Sequence, residues 1–505
     1  MTTAANTFAL SLISHTNVGK TTLARTLLRR DIGEVRDEAH VTLAAERHVL
    51  LETPAGGRIE LWDTPGFGDS VRLARRLAGR GNPVGWFLAE VWDRFRDRAF
   101  WSSQHAIRNI LDDADVVLYL VNAAEAPEDI GYLDAELEIL ALLDKPVVIL
   151  LNQMGPPQQS EREHAEVERW RQRTRAASHV HAVLAFDAFA RCWVQEDTLL
   201  AAVAACLPPA RRAEFDVLRE AWRARNLATW HDAMALLGAR LARAALDREA
   251  VPREGWTERL HAVGAALGLR RERPLSARES AMQALAERLD AAIRDSTGRL
   301  IALHGLEGHA TGVVLERLAT HYAVREPLSE SRAALWGGVV SGALAGLKAD
   351  LATGGMSMGA GLIAGGVLGA VGAAGMARGY NLIRGVDAPL LSWSTGVLDR
   401  LVRSALLGYL AVAHYGRGRG DWSEAEHPSF WAEHVDAVVD DRAASLTAIW
   451  DRRPARIASS DRDELAAGER ELAEALRLWF DEASADLLAR LYPHAFAGIA
   501  AFDRR

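Results

Sequence analysis

The stretch SHTNVGKTT, residues 14–22, follows the pattern Gly-x-x-x-x-Gly-Lys-[Ser/Thr], with Ser14 in place of the first glycine. Residues of these types at this spacing can handle phosphate. The amides of Asn17, Val18, Gly19, Lys20, Thr21 and Thr22 can wrap phosphate oxygens at a helix N-terminus, where the helix dipole favours negative charge. The Lys20 ammonium can reach the terminal phosphates, and the Thr21 hydroxyl can ligate Mg2+. Downstream, LWDTPGFGD (61–69) ends an apolar run in Asp-x-x-Gly. There Asp63 is a second candidate Mg2+ ligand, often acting through water, and the Gly66 amide a candidate donor to the terminal phosphate. Asp-Thr-Pro-Gly is also good turn chemistry. Its place at the end of a strand, after a phosphate loop, favours the phosphate reading. Between the two motifs, EAHVTLAAERHV (38–49) offers Thr42 as a candidate switch threonine, both a metal ligand and part of the catalytic set with Lys20 and Gly66.

The base-reading residues are less regular. LLNQMGPP (150–157) stands where a guanine site reads Asn-Lys-x-Asp, and it keeps only Asn152: Gln153 replaces the Lys and Gly155 the Asp. A carboxylate there accepts two hydrogen bonds from guanine. Glycine accepts neither, and each base donor left unpaired costs about 1–3 kcal/mol. Asn152 remains suited to bracing the pocket. In AFDAF (185–189), Asp187 could return a carboxylate to the base and Ala188 an amide, although Asp187 reads equally well as a helix cap. Three readings stay open: GTP held by a rearranged loop, a relaxed preference that admits ATP, and a nucleotide site kept for structure.

These residues need a rigid frame. Five apolar runs, at 7–14, 58–63, 116–122, 146–152 and 180–187, alternate with stretches of helical composition. The pattern predicts a mostly parallel sheet with helices on both faces. After LPPARRAEF (207–215) the strand-like runs stop. Phe215, Leu218, Trp222, Leu227, Trp230, Met234, Leu237 and Leu241 then recur at helical spacing. The reading is an α/β phosphate-loop domain at 1–207 and an all-α domain at 208–505, with further helices at 279–295 and 469–492. Between Asp69 and Asp113 lie Trp86, Phe87, Trp92, Phe95, Phe100 and Trp101, which read either as core or as a surface that docks on the helical region.

Residues 333–377 are crowded with Gly and Ala. Gly338, Gly342 and Gly346 recur every four residues, as do Gly361, Gly365 and Gly369, which predicts a closely packed helical hairpin. Leu351–Ala377 carries no charge and exceeds the roughly 20 residues needed to cross a bilayer, whereas Ala333–Leu347 is short. Membrane contact and a hairpin packed within the protein both fit. His15 and YGRGRGDW (415–422) read as structural.

The chain has 505 residues, 49% hydrophobic and 25% charged, which is the balance of a folded protein. A formal net charge of -8 argues against nucleic acid as a partner. Cys192 and Cys206 make neither a disulfide framework nor a zinc motif, and no secretory signal is read at the N-terminus. A cytoplasmic location follows, peripheral to or inserted in the inner membrane if 333–377 meets lipid.

TNVGKTTL and WDTPG resemble the septin-like branch of translation-factor-related GTPases, which includes tRNA-modifying and ribosome-assembly enzymes of bacteria. Phe67 agrees with the apolar residue that follows Asp-x-x-Gly in that branch. For Asn17 the resemblance implies a K+ ion beside the phosphates, held where two G domains meet as a homodimer. GNPVGWFLAEVWDRFRDRAFW (81–101), VVLYLVNAAEAPED (116–129), LLNQMGPP, LAFDAFARCWVQE (184–196) and WGGVVSGALAGL (336–347) resemble proteobacterial GTPases carrying the domain of unknown function 3482. What this implies is a nucleotide switch with a helical partner domain and little about the biological task. With the phosphate-side residues the expectation is a Mg2+-dependent GTPase, slow or activator-dependent, that cycles between GTP and GDP, and the Gly/Ala-rich segment 333–377 adds a membrane or membrane protein as an expected partner. The alternative is a membrane-remodelling or scaffolding protein whose assembly is regulated by nucleotide.

Overall fold

The structure, a computed structural model, describes residues 6–15, 18–29, 32, 45–78, 81–89, 98–154, 160–186, 192–251, 277–306, 380–384, 389–414, 429–453, 462–493 and 495–503. It divides into two compact units. One comprises Met1–Ala228, Ala413–Pro428 and Leu488–Arg505, and the other Thr229–Val412 and Ser429–Leu487.

The first unit is built on a six-stranded sheet in the order β2-β3-β1-β4-β5-β6. Its strands are β1 (Thr7–Ser14), β2 (Glu46–Glu52), β3 (Arg58–Asp63), β4 (Val116–Asn122), β5 (Val147–Asn152) and β6 (Val180–Ala185). Five are parallel and match the apolar runs. β2 is an edge strand lying antiparallel to β3, a strand the sequence reading missed. Its hairpin closes where Gly56 takes φ 83° and Gly57 exchanges hydrogen bonds with Thr53.

Side chains alternate across a strand, so each central strand feeds two cores. Leu10, Leu12, Val116, Leu118, Leu120, Val148 and Leu150 face one side. They meet Leu23 and Leu27 of α1 (Lys20–Leu28), Leu199 and Val203 of α7 (Trp193–Cys206), and Phe215, Leu218 and Trp222 of α8 (Pro209–Leu246). Ile13, Val117, Tyr119, Val121, Ile149 and Leu151 face the other. There they meet α2 (Ser70–Leu77), α3 (Pro83–Ala89), α4 (Arg98–Asp112), α5 (Leu133–Ala141) and α6 (Ser160–Thr174). Phe87 and Phe100 are fully buried in this second core with Trp86 packed against it, so these aromatics are core. Trp92 and Phe95 lie outside the described residues.

The second unit is largely helical, and its residues also form a three-stranded antiparallel sheet, β7-β9-β8, where the sequence predicts helix throughout. The strands are β7 (Arg248–Ala250), β8 (Tyr380–Arg384) and β9 (Pro389–Trp393). They are short, and β7 and β8 are separated by more than a hundred residues of sequence, so no local periodicity marks them. Around them stand α9 (Ala277–Leu303), α10 (Thr395–Ala413), α11 (Ser429–Asp441), α12 (Ala443–Asp451) and α13 (Arg462–Leu491), while α14 (Phe496–Asp503) belongs to the first unit. α8 and α13 meet at Gly238, where a Cβ would lie 2.8 Å from the Arg477 nitrogen. Trp230 donates to Ser484 at 3.0 Å beside that crossing. No helix among the described residues is long and apolar enough to cross a membrane. The Gly/Ala-rich segment 333–377 and the turn at 415–422 lie outside them.

Candidate nucleotide-phosphate site

The carboxyl ends of the central parallel strands come together, as open α/β sheets place their ligand sites. β1 and β3 are paired through Leu12 and Asp63, β1 and β4 through Ser14 and Leu120, and β4 and β5 through Asn122 and Asn152. Ser14 ends β1, Asp63 its neighbour β3, and Asn152 the strand β5 two places to the other side, so all three lie at one end of the sheet.

α1 opens at Lys20, after Gly19 in the left-handed region at φ 96°. Only glycine adopts that angle readily. Space imposes the same choice: a Cβ on Gly19 would lie 2.8 Å from Asn152 Nδ2. Asn152 is wholly buried and donates from Nδ2 to the Val18 carbonyl at 2.7 Å. The side chain expected to brace a base pocket thus clamps the phosphate loop. The residue that follows it, Gln153, has φ 59°, so the departure from Asn-Lys-x-Asp begins in a conformation unusual for a residue with a side chain.

Lys20 lies buried at the first turn of α1 and donates from Nζ to Ser14 Oγ at 2.9 Å. Burial lowers its pKa, and the nearby carboxylates of Asp63 and Glu136 act in the opposite direction. Ser14 ends an extended strand, so its side chain brings no backbone strain where the pattern has glycine. Thr21 Oγ1 donates to Asp63 Oδ2 at 2.6 Å. Burial pushes the Asp63 carboxyl up to about 6, against the Thr21 hydrogen bond and the charge of Lys20. The other oxygen, Asp63 Oδ1, is buried without a hydrogen-bond partner among the described residues.

Gly66 closes over this pair. A Cβ there would lie 2.9 Å from Lys20 Nζ and 3.0 Å from the Ser14 carbonyl, so a side chain would press on the lysine ammonium and on the backbone of β1. Two contacts fix the Asp-x-x-Gly loop to β1: the Phe67 amide donates to the Ser14 carbonyl at 2.9 Å, and Thr64 Oγ1 donates to the Leu12 carbonyl. A helix N-terminus, a buried lysine and the Asp63–Thr21 pair converge here. A carboxylate with an unpartnered oxygen and an adjoining hydroxyl are hard oxygen donors that fit Mg2+, which takes few protein ligands and completes its shell with water and phosphate.

Of the residues read from sequence, Val18, Gly19, Lys20, Thr21, Thr22, Asp63, Gly66 and Asn152 are gathered at this end of the sheet. Asn17, Thr42, Asp187 and Ala188 lie outside the described residues, as does Gly155. The sequence reading set His15 aside and missed Glu136, Tyr119 and Tyr132. His15 Nδ1 lies 2.7 Å from Glu136 Oε1, and Tyr119 donates to Glu136 Oε2 at 2.7 Å. Glu136 looks like any helical acid in sequence, and only the fold carries it to the phosphate loop.

Residues 10–153 match the family model described as 50S ribosome-binding GTPase. The N-terminal part of the chain accordingly has a P-loop GTPase fold, mostly parallel sheet with helices on both faces, and is followed by a largely helical region. Proteins of this type typically use Mg2+. No curated protein matches the chain. Among solved structures it is similar to Era in complex with MgGDPNP and part of 16S ribosomal RNA, at 16% identity and a TM-score of 0.29, covering 40% of this chain and 58% of that one. An Era variant from Aquifex aeolicus bound to GDP·AlF4- gives 17% identity, a TM-score of 0.29, and 40% and 57% coverage. Toc33 from Arabidopsis thaliana, a dimerization-deficient mutant, gives 15% identity, a TM-score of 0.24, and 37% and 73% coverage. The chain thus spans under two thirds of the two Era chains, and a likeness of this degree does not bear on activity.

Proposed function

We propose that the first unit binds GTP with Mg2+ and hydrolyses it to GDP and phosphate, as a switch whose output is the helical region. The observation that carries this reading is the meeting of buried Lys20, Asp63 and Gly66 with half-buried Thr21 in one cluster. In that reading Lys20 and the loop amides hold the β- and γ-phosphates, while Thr21 and Asp63 hold Mg2+, which would neutralise charge building on the phosphate oxygens. Gly66 would sense the terminal phosphate. Thr42 and the base-contacting Asp187 and Ala188 keep the roles read from sequence, as do a K+ ion at Asn17, pairing of two G domains and a membrane partner for 333–377. The finer resemblance to the family carrying the domain of unknown function 3482 belongs to the same proposal.

Gly155 in place of the guanine-reading aspartate supports a second reading, in which ATP is accepted as well. Titration of the full chain with fluorescent GTP and ATP analogues in Mg2+ separates the two. GTP should bind more tightly and be hydrolysed, and Lys20→Ala should abolish turnover. Tighter binding of ATP would overturn the guanine assignment, and binding of neither nucleotide would overturn the site.

A further inference from the structure

The phosphate loop is gripped from behind by groups that the proposed reaction does not use. Glu136, on α5, is a fully buried carboxylate. Burying such a charge costs free energy unless it is paired and hydrogen-bonded, and both its oxygens are used. Oε2 accepts from the Tyr119 hydroxyl on β4 at 2.7 Å, and Oε1 lies 2.7 Å from His15 Nδ1. Burial, reinforced by the charge of Glu136, holds the Tyr119 phenol well above its ordinary pKa, so it stays a donor. With a carboxylate as acceptor, the proton of the His15 ring sits on Nδ1. The other grip is on the ring face, where Tyr132 stacks at 3.9 Å between centroids and 10° between planes. His15 is therefore held by an edge, from Glu136 of α5, and by a face, from Tyr132 at the N-cap of the same helix.

The backbone of His15 is joined to the phosphate site. It forms a parallel bridge with Phe67, next to Gly66. Its carbonyl accepts from the Ser14 hydroxyl, and that same hydroxyl accepts from Lys20 Nζ. The contacts form a continuous chain from Tyr119 through Glu136, the His15 ring, the His15 carbonyl and the Ser14 hydroxyl to the Lys20 ammonium.

We infer that Tyr119, Glu136, Tyr132 and His15 are positioning residues that set the Lys20 ammonium through the His15 carbonyl and the Ser14 hydroxyl. None of them touches nucleotide in this scheme. Ser14 has its own part: where the pattern has a glycine without a side chain, the hydroxyl supplies the link between the His15 carbonyl and the lysine. A positively charged group that stabilises phosphoryl transfer works only if it is already in place when charge develops, so small displacements act on turnover more than on binding.

The inference rests on the nucleotide-hydrolysing reading of the site, and its test separates the two. In the full chain with saturating Mg2+ and GTP, His15→Ala should lower kcat by about tenfold, the size seen when a partner orienting a functional group is removed, with KM changing much less. His15→Asn, which returns a donor at the Nδ1 position, should recover most of the loss. His15→Phe keeps the stacking on Tyr132 without that donor and should not. Tyr119→Phe should lower kcat less, and add little in the His15→Ala background because both act through one relay. Equal rescue by Asn and Phe, or a kcat for His15→Ala within about twofold of the unaltered chain, would overturn the inference while leaving the nucleotide site standing. Should the unaltered chain turn over no nucleotide, imidazole 15N spectra still decide on the relay. A protonated His15 Nδ1 whose shift changes in Tyr119→Phe supports it, and an unprotonated Nδ1 overturns it.

Discussion

Asn152 shows how one letter of a base-reading motif can act on the phosphate loop, through the Val18 carbonyl. Its amide donates to the Val18 carbonyl, and it packs against Gly19, where a Cβ would lie 2.8 Å from Asn152 Nδ2 and the φ of 96° already favours glycine. The physical effect of Asn152 is therefore on the shape of the phosphate loop, whichever base is bound. Replacing it by Ala leaves a buried carbonyl without its donor, which costs about 1–3 kcal/mol. Asn152→Ala should accordingly lower stability by that amount in urea unfolding and weaken GTP and ATP analogues by the same factor. A change in the ratio of the two affinities would mean instead that Asn152 contacts the base. Lys20 and Asp63 follow another residue-scale rule. Both are buried, and for each the loss of hydration is the largest influence on its pKa, exceeding the attraction between them. A cluster of this kind holds charged groups in the conformation that anionic phosphate and a divalent cation would reward.

At the scale of elements, the parallel sheet was legible because β1, β4 and β5 are buried on both faces and read as nearly continuous apolar runs, with no period-two alternation needed. β2 escaped because one half of it is exposed at a sheet edge, leaving only Leu50 and Leu51 as apolar buried residues. The clue that could have found it was the turn: Pro54, Gly56 and Gly57 between two strand-like segments predict a hairpin. Glu136 and its partners were illegible for a different reason, since the tie from His15 to Glu136 spans 121 residues. Helix crossings are equally hidden. Gly238 lies inside α8, where glycine weakens a helix, and sequence alone offers no reason for it. The fold supplies one in the approach of α13, with the Arg477 nitrogen at 2.8 Å and the Ala473 carbonyl at 2.9 Å from a Cβ placed there. Those atoms are backbone and cannot rotate away. Gly238→Ala should destabilise the second unit by about 1–3 kcal/mol despite the higher helix propensity of alanine. A thermal midpoint raised by this substitution would show that the helices have room to part.

At the scale of the whole chain, the end of the α/β alternation at 207 and the edge of the compact unit are different boundaries. The sheet face formed by Leu10, Leu118 and Leu150 is closed in part by Phe215, Leu218 and Trp222, so the first turns of α8 are core for the sheet. Arg211 strengthens the join, with its guanidinium 4.2 Å from the Phe8 ring centroid and 3.0 Å from Asp115. The same unit also takes in Leu488–Arg505. Phe496 of α14 meets Trp193, the first residue of α7, edge to face at 6.4 Å, and Tyr492 shares a 2.6 Å hydrogen bond with His414. Phe496 and Trp193 are 3% and 5% exposed, so both count as buried apolar area that a fragment cut at the sequence boundary would lose. Truncating one buried Phe to Ala costs about 3–5 kcal/mol, a large part of the 5–15 kcal/mol that holds a domain together. Phe496→Ala in the full chain should therefore lower the midpoint of the transition that also reports on Trp193 fluorescence, and removal of 488–505 should lower it further. If unfolding is unaffected by either change, the C-terminal segment does not belong to the nucleotide-binding unit, and residues up to Ala228 must bury their apolar surface without it.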